Sequence, residues 1–399
     1  MILRSSTLNK LVDKIKNQNT SEFWDEIESL GTPLIEETDI AEKQLVTFLY
    51  KEVEPIKNVV VISGPAGMDY QRNKMEKIPN TDIWFRSYLV DENPKFQYLL
   101  SPNDPLTYPI ELIHDSKKME EREASFIMDP LNKFPYPTNE PMISTVGLSK
   151  EDASFKDNSL WGKVEEFSVW SECMENNRNI TLYLPKYCEQ ERKLSLVTIL
   201  DGDLHPHILP ALHIIDQLIN NKNIKPVAVL LVHNAGQREK DMGCNNKFAT
   251  FLSEELTSYL EKEKGLIFGN ENCICGFNFG GIASLYTTYQ YPTVYKNTIM
   301  VSTSLYWSPN DFKESEYLVW YMSTREKREI SIYLECGKME NHSEFQRCFG
   351  GASNLLTNRH LRNVLTAKEY SYSYYEFNGG HDFIQWIDSL RRGLMNFYG

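Results

Sequence analysis

Residues 273 to 281 read Cys-Ile-Cys-Gly-Phe-Asn-Phe-Gly-Gly. A short apolar run leads to Gly276, one residue, a polar residue, one residue, and Gly280. That spacing suits a sharp strand-to-helix turn that presents a single side chain for nucleophilic attack. The small flanking residues let strand and helix come close, and the N–H groups of the helix start stabilise developing negative charge. The presented residue should then be Ser, Cys or Asp. Here it is Asn278. Asn is among the non-glycine residues that best tolerate positive φ, so the turn survives the substitution. The chemistry does not, because a carboxamide offers no hydroxyl or thiol that an imidazole can activate. Taken alone, five residues fit a plain strand-to-helix turn with packing glycines better than a catalytic one.

Acyl-transfer sites built on such a turn place nucleophile, acid and His in that chain order. Three histidines follow Asn278: His342, His360 and His381. His381 lies in Asn-Gly-Gly-His-Asp-Phe-Ile-Gln-Trp, a Gly-rich turn before the last helical segment, and is the preferred base. His360, in Thr-Asn-Arg-His-Leu-Arg-Asn, reads as an exposed helix residue. The acid should follow the preceding strand, and Ile-Ser-Ile-Tyr-Leu-Glu-Cys-Gly-Lys-Met-Glu-Asn offers two candidates. Glu340, in the loop, is preferred over Glu335, inside the strand run. An acid there would hold the imidazole in its working tautomer. Ser302 and Ser304 follow the next strand and are weaker stand-ins for the nucleophile, since they lack the exposing turn.

The elements that must position these residues are legible as hydrophobic runs. Leu-Ser-Leu-Val-Thr-Ile-Leu, Pro-Val-Ala-Val-Leu-Leu-Val and Cys-Ile-Cys-Gly-Phe are near-continuously apolar, as strands buried on both faces require. Helical segments alternate with them: 207–221, 246–264 and 280–292. Two more strands, near 297–304 and 329–337, and a closing helix from Phe383 to Tyr398 complete an α/β domain with a mostly parallel sheet. Residues 167–172 and 178–186 alternate like antiparallel strands. The first third differs. Runs near 45–52, 58–64, 83–90 and 96–102, rich in aromatic and β-branched residues and broken by turn-formers, predict a small β-sandwich. The expected organisation is therefore an N-terminal β-sandwich-like domain over 1–155 and an α/β-hydrolase domain over 156–399.

Composition excludes some functions. The 399 residues carry a formal net charge of -13, which disfavours nucleic acid as a partner. No run is long enough for a membrane span, and the N-terminus reads as a short amphipathic helix rather than a secretory signal. Seven scattered cysteines (Cys173, Cys188, Cys244, Cys273, Cys275, Cys336 and Cys348) suit reduced thiols in a cytoplasm. Cys273 and Cys275 read as strand packing rather than metal ligands. His205 and His207 are a weak metal pair that reads better as solvated loop residues, so no metal and no cofactor is expected.

The chain resembles the enterochelin esterases over nearly its full length. In the first part the resemblance rests on 23–37 (FWDEIESLGTPLIEE), 81–90 (TDIWFRSYLV), 101–106 (SPNDPL) and 129–132 (DPLN). In the second it rests on 200–203 (LDGD), 238–245 (REKDMGCN), 276–286 (GFNFGGIASLY), 304–309 (SLYWSP), 334–340 (LECGKME) and 379–386 (GGHDFIQW). The resemblance implies a cytoplasmic hydrolase for the trilactone backbone of a ferric catechol siderophore, with iron present only inside the ligand. It carries the triad onto Asn278, Glu340 and His381. It carries the oxyanion hole onto the N–H of Phe279 and of a residue in the Gly202-Asp203 turn. Arg238 would contact an anionic catecholate or remain a surface loop residue; Tyr306 and Trp307 would wall an aromatic ligand or pack the core. Two departures stand out: Asn at the nucleophile position, and Asp203 with His205 and His207 where the family has an aromatic residue. Two functions follow: an esterase impaired at Asn278, or a siderophore- or ester-binding pseudoenzyme on the same fold. The retained Glu340 and His381 argue against a third, a purely structural role.

Overall fold

The computed structural model describes residues 5–67, 70–107, 111–112, 115–136, 143–148, 159–186, 193–205, 209–341 and 352–399. His207, His342, Cys188, Cys348 and the expected boundary at residue 155 lie outside them. The chain divides into two compact units. The first contains residues 1–153, 338–348 and 378–385; the second contains 154–337, 349–377 and 386–399.

In the first unit, helix α1 (Ser6–Val12) is capped by Ser5, whose Oγ accepts from the Leu8 N–H at 2.9 Å. Helix α2 (Ser21–Leu30) buries Phe23, Trp24 and Ile27 along one face. Two antiparallel sheets follow. One has the order β1 (Leu34–Glu37), β2 (Lys43–Lys51), β5 (Ile83–Asp91), β4 (Glu76–Lys77). The other has the order β3 (Val59–Ile62), β6 (Phe96–Pro102), β7 (Ser144–Val146). Val46, Phe48 and Trp84 of the first sheet share one buried cluster with Val61, Tyr98 and Leu100 of the second. The alternating aromatic and β-branched residues thus supply two facing apolar surfaces, as the sequence predicts.

The second unit is built on eight strands in the order β15-β14-β13-β12-β10-β11-β9-β8. The strands are β8 (Lys163–Ser171), β9 (Asn176–Leu184), β10 (Ser195–Leu200), β11 (Val227–Val232), β12 (Cys273–Phe277), β13 (Asn297–Val301), β14 (Ser331–Gly337) and β15 (Ser371–Phe377). β10 to β15 run parallel, and β9 and β8 close one edge antiparallel. Every residue of β11, β12 and β13 is buried, which is why these runs show no polar alternation. Cys273 and Cys275 are fully buried strand residues. Helix α3 (Ala211–Asn220) follows Pro210, α4 (Phe279–Gln290) follows β12, α5 (Asn354–Ala367) precedes β15, and α6 (Phe383–Tyr398) ends the chain. The predicted helix over 246–264 forms as Asn246–Thr250, a π turn at Phe251–Glu255, and Leu256–Lys264. β10 is flanked by β11 and β12, so strand order reverses there. In a parallel α/β sheet that switch point opens a crevice beyond the carboxyl ends of the strands. The Gly202 turn follows β10 and Asn278 follows β12.

Candidate functional site

Asn278 sits between β12 and α4 with φ 54° and ψ -119°. Few side chains hold such a conformation, and the surrounding packing enforces it. A Cβ on Gly276 would fall 2.0 Å from the Gly280 carbonyl, and one on Gly281 would fall 2.1 Å from the Thr303 hydroxyl. Strand and helix are therefore closer than any side chain permits. The Asn278 N–H donates to the Val301 carbonyl at 3.1 Å. Its own carbonyl accepts from the Gly281 and Ser304 N–H groups, each at 3.2 Å. Its side-chain Oδ1 accepts from the buried Ser304 hydroxyl at 2.6 Å. Ser302, by contrast, accepts from the Trp386 indole N–H at 3.2 Å.

Phe279 is the first residue of α4, whose leading N–H groups have no acceptor within the helix. The Gly202 turn reaches the same place. Asp201, in the left-handed conformation, opens a short 3₁₀ turn at Gly202–Leu204. Its Oδ2 lies 3.3 Å from where a Cβ on Gly280 would stand. Asp201 is 4% exposed. It accepts two bonds from Arg238, from Nε at 2.5 Å and Nη2 at 2.6 Å, and a third from Asn234 Nδ2 at 3.0 Å. A buried carboxylate requires such partners. Arg238 also lies over the Phe279 ring, 5.8 Å from its centre. The Asp203 carboxylate turns the other way. It accepts the Asn234 N–H at 2.7 Å and sits 3.2 Å from His233 Nδ1.

Phe279, Tyr306 and Trp307 line one cavity of about 450 Å³, whose lining also has the polar Ser308, Asn310 and Ser315 and the charged Glu239, Lys313 and Glu314. Trp307 meets Phe279 edge-on at 6.2 Å and Tyr317 at 6.5 Å, and its ring fills the space beside Gly243. Sequence left open whether Tyr306 and Trp307 wall a ligand or pack the core; both line the cavity, and Trp307 also packs.

In the first unit, His381 Nδ1 lies 2.9 Å from Glu340 Oε2. The Glu340 side chain is 1% exposed and that of His381 is 36% exposed, so a buried carboxylate orients an imidazole that reaches solvent. The loops that carry them are held by the N-terminal strands. The Lys95 N–H donates to the Asn378 carbonyl at 3.0 Å, and Asn378 Nδ2 donates to the Glu92 carbonyl at 2.6 Å. Lys338 pairs with Asp91 at 2.8 Å, and the Met339 N–H donates to the Gly379 carbonyl at 3.0 Å. Asp382, next to His381, is buried, and its carboxyl is pushed up to about 7. Burial is the main cause, and the Glu340 charge adds to it, against N–H bonds from Gln385 and Gln97.

The rival acid, Glu335, is fully buried in β14 and engaged elsewhere. Arg392 donates to it twice at 2.8 Å, and the Tyr333 hydroxyl donates as well. His360 is exposed on α5 and pairs with Glu316 at 2.7 Å. His205 stacks on His213 with ring centres 5.7 Å apart, and among the described residues no group of three or more His, Cys, Asp or Glu could hold a metal ion. Sequence reading missed Asp201, Ser304 as the partner of Asn278, and Asp382. Only Asp201 left a signal: a carboxylate at the end of a buried strand run must find a cation, and Arg238 was the cation already singled out.

Comparison with known proteins agrees with this architecture. The family model described as "Putative esterase" matches residues 171–397, and the model described as "Enterochelin esterase, N-terminal" matches residues 45–154. The chain is 24% identical to the iron(III) salmochelin esterase of Escherichia coli O6:H1, over 94% of this chain and 93% of that protein. The ferric enterobactin esterase of Salmonella typhimurium is similar in structure, with a TM-score of 0.74 at 20% identity over 94% of this chain and 98% of that one. The enterobactin esterase of Shigella flexneri, solved in the presence of enterobactin, gives a TM-score of 0.71 at 20% identity over 96% and 99%. No helix among the described residues is long and apolar enough to cross a membrane. The chain belongs to the esterase family whose model matches residues 171–397, and its residues 45–154 match the model of the enterochelin esterase N-terminal domain.

Proposed function

We propose that the chain is built to bind the trilactone of a catechol siderophore and to cleave its ester bonds in the cytoplasm, releasing iron, and that Asn278 suppresses the cleavage. Asn278 occupies the nucleophile position, His381 is the base and Glu340 the acid that orients it. The N–H groups of Phe279 and of the Gly202-Asp203 turn form the oxyanion hole, and Tyr306 and Trp307 wall the aromatic ligand. Residues 1–155 act as the N-terminal domain and 156–399 as the hydrolase domain.

The observation that carries this reading is the His381–Glu340 pair at 2.9 Å. A buried acid holding a half-exposed imidazole is the arrangement that general-base chemistry requires. The strained turn at Asn278 and the named activities of the relatives support it. Losing a triad Ser lowers kcat by about 10⁶, leaving roughly 10³ to 10⁴ over water from the oxyanion hole and binding. A second reading, a binding protein that never cleaves its ligand, is favoured by one observation: the Asn278 amide is bonded to the Ser304 hydroxyl and so has a structural place of its own.

The test compares the chain with its Asn278→Ser variant on a catechol trilactone and on a simple aryl ester. Activity gained only with Ser supports the esterase reading. Equal rates in the two proteins would remove position 278 from the mechanism. Binding of a ferric catecholate without turnover by either protein would favour the second reading.

A further inference from the structure

A carboxamide cannot attack an ester, but it can itself be attacked. The group placed to do so at Asn278 is the main-chain nitrogen of the next residue, Phe279. Closure of that nitrogen onto Asn278 Cγ makes a five-membered imide from N, C′, Cα, Cβ and Cγ. Such a ring is nearly flat, so Cβ must eclipse the Phe279 nitrogen about the Cα–C′ bond. In an L residue Cβ stands about 120° round that bond from the residue's own nitrogen. The ψ of -119° at Asn278 therefore brings Cβ into eclipse with the Phe279 nitrogen. Helical ψ near about -42° and extended ψ near about +135° both turn Cβ well out of that plane. One rotation about Cα–Cβ then carries Cγ to the nitrogen. The fold imposes this conformation, because strand and helix approach too closely at Gly276 for the turn to relax.

The hydrogen bonds activate both reacting groups. The Ser304 hydroxyl donates to Asn278 Oδ1 at 2.6 Å and draws electrons from Cγ, which makes Cγ a better electrophile. The Asn278 main-chain carbonyl accepts the N–H groups of Gly281 and Ser304, each at 3.2 Å. Charge drawn to that oxygen makes the Phe279 N–H more acidic, since oxygen and nitrogen share one conjugated amide. Phe279 is also the first residue of α4, so its N–H has no acceptor within the helix and is not tied into the ladder.

We infer that Asn278 is a site of self-modification, at which the side-chain amide is lost as ammonia and the residue becomes Asp. The Phe279 nitrogen bonds to Cγ, the bond from Cγ to the amide nitrogen breaks, and the Phe279 proton leaves with the ammonia. Water then adds to Cγ, the new ring bond breaks, and a proton returns to the Phe279 nitrogen. The balance is carboxamide and water in, carboxylate and ammonium out, with no oxidant or reductant. Opening at the main-chain carbonyl instead would add a methylene to the backbone, for which the packing at Gly276 and Gly281 leaves no room. The carboxylate can keep the Ser304 bond, and the start of α4 favours its charge. A carboxylate is also one of the groups that such a turn can present for attack.

Mass spectrometry of the full chain, aged at mildly alkaline pH with and without denaturing urea, tests this. The peptide containing residue 278 should gain the mass difference between –NH2 and –OH, with the Asn278→Asp variant as its standard. A bulky side chain after Asn slows this closure in a flexible chain, and the fold has already set the angle it needs. Conversion should therefore be about tenfold or more faster in the folded protein than in urea. Hydroxylamine, which opens cyclic imides, should cut the aged folded chain between residues 278 and 279. Ser304→Ala, shown to be folded by its melting transition, should slow conversion several-fold. Residue 278 unchanged in mass, or converting no faster folded than in urea, overturns the inference. An unchanged rate in folded Ser304→Ala overturns the part given to Ser304. No ligand enters the experiment, so its result is independent of the siderophore reading.

Discussion

Glu335 and Glu340 lie on one strand-and-loop segment, and the proposed function gives a catalytic duty to Glu340 alone. In an Asn278→Ser background, Glu340→Gln should lower kcat by about 10⁴, as removing the orienting carboxylate does in a hydroxyl–imidazole–carboxylate site. That is about 5.4 kcal/mol of transition-state stabilisation, at 1.36 kcal/mol per decade. The amide keeps the volume and one hydrogen bond to His381 Nδ1, so the melting temperature should change little. Glu335→Gln should do the reverse. It removes the countercharge of Arg392 and weakens the partner of Tyr333 inside the sheet. Breaking a buried pair from one side costs about 3–5 kcal/mol. The Arg392 side chain is 36% exposed, so its charge reaches water and the loss should fall at or below about 3 kcal/mol. Rates measured well below the melting transition should stay within a few-fold of the parent. The assay pairs hydrolysis of an aryl ester and of enterobactin with thermal melts of each variant. A Glu340→Gln protein within tenfold of its parent, beside a Glu335→Gln protein that melts normally and has lost activity, would show the assignment to be reversed.

Gly276→Ala should destabilise the chain by more than about 3 kcal/mol, since its Cβ would overlap the Gly280 backbone and not a movable side chain; an unchanged urea midpoint would contradict the close approach. Burial pushes the Asp382 carboxyl from an ordinary 3.8 up to about 7, so between these values the folded protein holds a proton that the unfolded chain releases. Its contribution to stability is full below about pH 4 and falls by a few kcal/mol as pH rises to 7. Asp382→Asn should therefore raise the melting temperature at pH 8 more than at pH 4, and an equal change at both would refute the buried neutral carboxyl. Phe279→Ala and Trp307→Ala should each weaken an aromatic ligand by about 1 kcal/mol or more, read by calorimetry.

The sheet was legible because its strands are buried on both faces and therefore apolar without interruption, as in Val227–Val232 and Cys273–Phe277. The closing helix was legible to the residue, since Phe383–Tyr398 has a clear apolar stripe and a Gly-rich entry. The helix after β10 was read too long, because Pro210 delays its start. Glu340 was preferred over Glu335 on position alone; that an Arg 57 positions away engages Glu335 is a tertiary fact that no local pattern carries. Arg238 shows the same limit. The resemblance left it to meet a ligand anion or to remain a surface loop residue; its bond to Asp201, 37 positions earlier in the chain, could not be read locally. Which unit would hold the loops of Glu340 and His381 was equally invisible, since they follow β14 and β15 directly.

That last arrangement bears on how the protein can be taken apart. A fragment starting near residue 156 would retain all eight strands of the large sheet and the Asn278 turn. It would lose Asp91, Glu92 and Lys95, the residues that grip the segments on either side of the acid and the imidazole. The front of the chain is thus a brace for the Glu340–His381 pair and not a detachable ornament. Chimeras between relatives should work only when the first 150 or so residues travel with residues 338–348 and 378–385 as a matched set.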